Sequence, residues 1–277
     1  MFSSGSSGVK EMSEKKYNGK MEWTRGLMNM LAKENRVWWG TRKWIVQSIL
    51  WTLVITGSVA FTLYVLSILP VLRRPDVVDG YGTGAAALQL FFNISGFTFA
   101  IGVIVITHDI IVGERETGTA EWVLSKPLSR KAFVLSKIVA STIGISATMV
   151  ILQGAFLLLV ARLFHGDIDF FPFAKGLAVM WLVCFFYITF VVFLGTVLNS
   201  RGAVLGVAFL FFLTGFLLPL AFEKTFYFMP WRLSDVGFAF SMSLAGNAKL
   251  LLPILMTSIW SLLFTAGALW RIEKIEI

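Results

Sequence analysis

Six runs of apolar residues, each long enough to cross a bilayer, alternate with short polar segments along the chain. They cover roughly Trp44–Leu69, Ala85–Val112, Ala132–Leu163, Gly176–Leu198, Ala203–Phe222 and Leu250–Trp270. A helix rises about 1.5 Å per residue, so about 20 residues cross a hydrocarbon core ~30 Å thick. All six runs meet that length. A transmembrane β-barrel would instead show segments of about ten residues with alternating polarity, and the chain has none. The pattern predicts an all-α polytopic membrane protein with six transmembrane helices within residues 41–277. That leaves no room for a sizeable soluble domain, so any energy source or enzyme it works with is expected on another chain.

Ahead of the first run the period changes. Trp23, Leu27, Met30, Leu31, Glu34 and Trp38 recur at helical spacing, while Arg25, Lys33 and Arg36 fall off that stripe. A basic helix with Trp and Leu on one face suits the membrane interface. Residues 21–40 are therefore expected to form an interfacial amphipathic helix, either touching a partner or serving as a passive anchor. Residues 1–20, with the linker-like run SSGSSG, are polar, low in complexity and expected to be disordered. Elsewhere the glycines Gly80, Gly82 and Gly84 mark a turn-rich connection after the first span. The aromatic-rich stretch between Phe222 and Leu250 predicts one or two short helices at the outer mouth.

Composition agrees: 57% of residues are hydrophobic and 14% charged, against about 25% charged in soluble domains. The net charge of +8 invites a nucleic-acid reading, but its distribution follows membrane topology. With the N-terminus inside, 17 of the 24 Lys and Arg fall on the inner side and seven on the outer. That positive-inside bias places both termini in the cytoplasm of a multi-pass plasma-membrane protein and leaves no call for nucleic acid. Cys184 stands alone, and His165 and Asp167 have no third ligand near them in sequence, so no metal site is expected. His108-Asp109 falls beside the charged loop, where a packing role outweighs a proton relay.

The most polar segment between spans is Gly113–Lys137, with Glu114, Glu116 and Glu121 against Arg115, Lys126, Arg130, Lys131 and Lys137. Gly118 can end one helix and Thr119 can cap another. Glu121 then lies in the favourable first turn. Pro127 closes this short helix and Ser129 is placed to cap the third span. The piece from Ala120 to Ser125 is far below the ~12–15 residues at which an isolated helix becomes marginal. It carries Trp122, Val123 and Leu124, so it either folds back on the membrane or docks in a groove on another protein. Gly113 and Gly118 have the spacing of a phosphate loop, but Thr119-Ala120 replaces the Lys-Ser/Thr pair, and Glu114 and Glu116 would repel phosphate.

The order of Glu114, Glu116, Gly118-Thr119, Leu124-Ser125, Pro127, Ser129-Arg130 and Leu135-Ser136-Lys137 resembles ABC-2 type exporter permeases. It is most similar to the permeases of multicopper-enzyme and nitrous oxide reductase maturation. The resemblance implies a six-helix permease that pairs with a second copy and with a separate cytoplasmic ABC ATPase, which holds ATP and Mg; the chain itself is expected to bind no cofactor. It implies a coupling helix between spans two and three, with Glu114, Glu116, Gly118, Thr119, Glu121, Trp122, Leu124, Pro127, Ser129 and Arg130 at the ATPase contact. It also implies outward movement of a substrate, or force passed to an extracytoplasmic partner. Val123-Leu124-Ser125-Lys126 departs from the usual two leucines and a small residue ahead of the proline.

Gly202 and Gly206 put two small residues on one face of the fifth span, suited to packing within the chain or between two copies. The alternative function is a stand-alone secondary transporter or channel. The span centres argue against it, because Gln89, Asn93 and Gln153 are their polar exceptions and none is ionisable. These three could line a path, though a polar bridge between helices is the better reading. An intramembrane enzyme would need a nucleophile and base together at membrane depth, whereas the two histidines fall at opposite ends of the bilayer. The sequence names no substrate beyond what its apolar, aromatic-rich spans would tolerate, a lipid or another hydrophobic molecule.

Overall fold

A computed structural model of the chain describes residues 26–68, 75–125, 128–221, 228–244 and 250–274. These residues form helices and turns with no strand among them. Helix α1 is Leu27–Trp39, and α2 is Lys43–Ile68. Helix α3 is Pro75–Thr107, α4 is Val112–Glu116, and α5 is Thr119–Leu124. Helix α6 is Arg130–Leu163, α7 is Phe170–Val197, and α8 is Arg201–Ala221. A 3-10 turn at Pro230–Arg232 leads into α9, Leu233–Ser241; α10 is Leu251–Arg271.

Five helical stretches are long and apolar enough to cross a membrane: Lys43–Ile68, Thr83–Glu116, Arg130–Leu163, Phe170–Val197 and Leu251–Lys274. The run expected as the fifth span forms the 21-residue helix α8, Arg201–Ala221, which stands outside these five stretches. The chain is thus a multi-pass, all-helical membrane protein.

Two expected boundaries move. The glycine-rich stretch before the second span is helical from Pro75, not a loop, since proline at the first helical position needs no N–H partner. Gly84 lies against the backbone of Asp167 so closely that a Cβ would not fit. Helix α7 starts six residues ahead of Gly176, with Pro172 inside its first turn, where the missing N–H breaks no helical bond.

The bundle is built around α7, which packs against α10, α9, α3, α6 and α8. Aromatic rings make the contact: buried Phe186 and Phe190 and partly buried Phe211 and Phe264 lie with centroids 4.8 to 6.0 Å apart. The outer short helix expected between the last two spans exists as α9. It is wedged between α3 and α7, with Gly176 and Gly237 allowing close approach around Phe92. Residues 222–227 and 245–249 of that segment lie outside the described residues, as do Trp23 and residues 1–20.

Spans α2 and α6 each carry one π-helical turn, Thr52–Gly57 and Ser146–Ile151, and the two stretches lie against each other's helices. A π turn leaves backbone groups off the regular ladder, and fully buried Gln153 uses this. Its amide donates to Thr52 Oγ1 and to the Thr148 carbonyl, both at 3.1 Å. Thr56 Oγ1 donates back to Gln153 Oε1 at 2.9 Å. Gln153 is therefore a bridge between helices rather than a path-lining group. Gln89 and Asn93 behave otherwise, standing exposed on one face of α3.

Candidate functional site

The loop between α3 and α6 starts at a turn, residues 108–111, where the His108 ring meets the Val105 carbonyl at 2.9 Å. Buried Ile111, Val112 and Ala120 seat the loop on the bundle. Between α4 and α5 the chain reverses through Gly118 at φ 69°, a left-handed position that glycine adopts without a Cβ clash. Thr119 begins α5 instead of standing one residue before it, because Gly118 already makes the break. Its hydroxyl pairs with that of Thr117 at 2.8 Å. Ser129 caps α6 as its sequence position predicts, accepting from the Ala132 N–H at 3.0 Å. Pro127 lies outside the described residues, as does the side chain of Leu124.

The charged residues of the loop divide into two groups. Glu114, Arg115 and Glu116 turn back into the chain. Lys137, only 3% exposed, sits between Glu114 at 2.9 Å and Glu34 at 3.2 Å, with its ammonium 5.0 Å from the Phe133 ring centre. Lys33 adds a contact to Glu114 at 3.4 Å. Two acids and a nearly buried cation thus join α1, the loop and α6. A buried cation costs several kcal/mol to desolvate unless it is paired, which ties the three elements to one geometry. The Arg115 guanidinium donates to the Gly195 and Leu198 carbonyls at 3.3 and 3.2 Å, and to Asn199 Oδ1 at 3.1 Å. Glu116 meets the Arg201 side chain at 2.6 Å, an ion contact rather than an aligned hydrogen bond, and accepts from the Arg201 backbone N–H at 3.3 Å. The loop therefore also grips the turn between α7 and α8.

Beyond α5 the C-terminal end is fastened in the same way. Lys131 pairs with the Glu273 carboxylate at 2.9 Å, and Arg130 donates to the Glu273 carbonyl at 3.3 Å. The other group faces outward: Gly118 and Glu121 are exposed, and Trp122 is 63% exposed at the tip.

Sequence reasoning missed Glu34, Arg115, Lys137 and Arg201 as parts of this site. One signal was available: Glu34 is an acid on the apolar stripe of α1, and Lys137 is a base just inside an apolar run. Helix α1 packs along α6, with Met30 buried and the Trp38 indole seated over Gly144, where no Cβ could be placed. It flanks the bundle as a docked helix. Among the described residues, nothing lies within 4 Å of where a Cβ would stand on Gly202 or Gly206.

No curated protein matches the chain. A family model does, described as ABC-2 family transporter protein and matching residues 28–230, from α1 to the turn before α9. That stretch is well over half of the chain and contains the whole loop and each of its partners except Glu273, and on it the chain belongs to the ABC-2 family of transporter proteins.

Proposed function

We propose that the chain is the permease subunit of an ATP-binding cassette exporter, and that the loop between α3 and α6 is where a separate cytoplasmic ATPase docks. The observation that carries this reading is Trp122. It is a large aromatic held 63% exposed on a six-residue helix that could not persist alone. Its flanks are clamped to the rest of the chain by ion pairs. An exposed aromatic on a rigidly held short helix suits a helix-in-groove contact. Glu121 and Gly118 form its rim, with Leu124 and Pro127 completing the docking element.

In this reading ATP and Mg are bound by the partner, and this chain binds neither. The bias of basic residues supports cytoplasmic termini and a cytoplasmic loop. Helix α8 completes a six-span permease, and a second copy covers the uncontacted face bearing Gly202 and Gly206. The ATPase drives either outward movement of a substrate or force transmission to an extracytoplasmic partner, as the resemblance to maturation permeases implies. Affinity capture of the full chain from its native membranes tests this. A nucleotide-hydrolysing subunit is expected with the wild type and lost with Trp122→Ala. Transport by the purified chain alone, with no ATPase bound, would overturn it.

A further inference from the structure

At the end of the bundle opposite the charged loop, a cavity of about 320 Å³ opens between α3, α7 and α8 beneath the segment Pro230–Asp235. Its walls are aromatic and apolar, with Phe97, Tyr187 and Trp231 among them, and its polar groups are few: Asn93, Ser234 and Asp235. Binding sites for small ligands have this make-up, an apolar hollow with a few polar groups that fix orientation. Asn93 and Asp235 are both exposed toward the cavity and its mouth. A carboxamide on a membrane helix is costly when it faces hydrocarbon, and such groups mark functional paths. Among the described residues Asp235 is the one charged group in the wall; Arg232, one turn earlier, partly offsets its charge.

We infer that this cavity is a binding site for an organic cation with an apolar body, its charge held by Asp235 and its body against Trp231, Tyr187 and Phe97. A carboxylate beside aromatic faces recognises such ions, because the ring quadrupole attracts a poorly hydrated cation that an ordinary apolar pocket would exclude. The site lies within one chain and needs no ATPase, so its failure would leave the docking reading untouched.

Binding of phenyltrimethylammonium to the full chain in lipid nanodiscs tests the assignment, with the neutral tert-butylbenzene, of the same shape, as control. Saturable binding of the cation is expected, at least about tenfold tighter than the neutral compound. Asp235→Asn should remove most of that preference and Asp235→Glu should keep it. Partial desolvation by the surrounding wall raises the Asp235 carboxyl above its usual range although its outer edge is exposed, against the opposing Arg232 charge. The folded state then holds its proton more tightly than the unfolded state, and this residue's contribution to stability falls as pH rises through the folded pKa. Asp235→Asn is thus expected to remain folded at neutral pH, and a thermal melt checks this. Equal affinity for cation and neutral isostere in the wild type overturns the proposal without any variant. So does an Asp235→Asn protein that is folded and binds as well as the wild type.

Discussion

The two short helices of the charged loop, α4 with three charges in VGERE and α5 with one in TAEWVL, differ in what they face. Glu114 and Arg115 are turned into the chain, and with the more exposed Glu116 they pair with Lys137, Lys33, Arg201 and the turn at 195–199. Five residues on, Glu121 and Trp122 stand exposed. The difference separates two jobs that a linear reading merges. One half holds the loop rigid, and the other is what a partner can touch. A docking helix of six residues is useful only if its flanks are fixed, because force applied to a floppy loop is lost in the loop.

The sharpest way to break this contrast is to remove the buried cation. Lys137→Met leaves Glu34 and Glu114 close together with the half-exposed Lys33 beside them. Loss of one partner from a buried ion pair costs about 3–5 kcal/mol. A large fall in the thermal unfolding midpoint of the full chain in detergent is expected, with recovery when Glu34→Gln and Glu114→Gln are added. An unchanged midpoint would mean the clamp bears no load.

Next in size is Gly144→Ala, which forces a methyl group into the Trp38 indole. Overpacking of this kind costs about 1–3 kcal/mol. It should loosen α1 from α6, read as faster hydrogen exchange across Leu27–Trp39. Glu116→Gln is milder. Its partner Arg201 is 41% exposed, so solvent screens the pair and roughly 1 kcal/mol or less is expected. The smallest stability effect belongs to Trp122→Ala, within about 0.5 kcal/mol of wild type, as for most substitutions of exposed side chains. If Trp122→Ala destabilised the chain as much as Lys137→Met, the distinction between clamp and tip would collapse.

Much of the architecture was legible because membrane helices announce themselves by length of apolar run alone. The helix break at Gly118 and the cap at Ser129 were also readable, since both depend on local chemistry. Helix starts were less so. The glycines at 80, 82 and 84 look like a turn, yet Pro75 opens a helix there and Gly84 is needed for contact with Asp167. The clamp was hidden for another reason: apart from Glu114–Lys137, its pairs join positions 80 to 103 residues apart. A sequence shows that Glu114 is charged without showing whether its counter-ion is internal or on another protein. Glu34 on an apolar stripe and Lys137 at the edge of an apolar run were the two clues, because an ion among apolar neighbours needs a partner.

The most direct test of the account is the affinity of the full-length permease, in nanodiscs, for the ATPase captured with it. Trp122→Ala should weaken that affinity by roughly 30-fold or more, as loss of an aromatic anchor of about 2 kcal/mol does, while the melting curve stays at the wild-type position. Unchanged affinity in a folded Trp122→Ala protein would contradict the assignment of the exposed tip as the docking element.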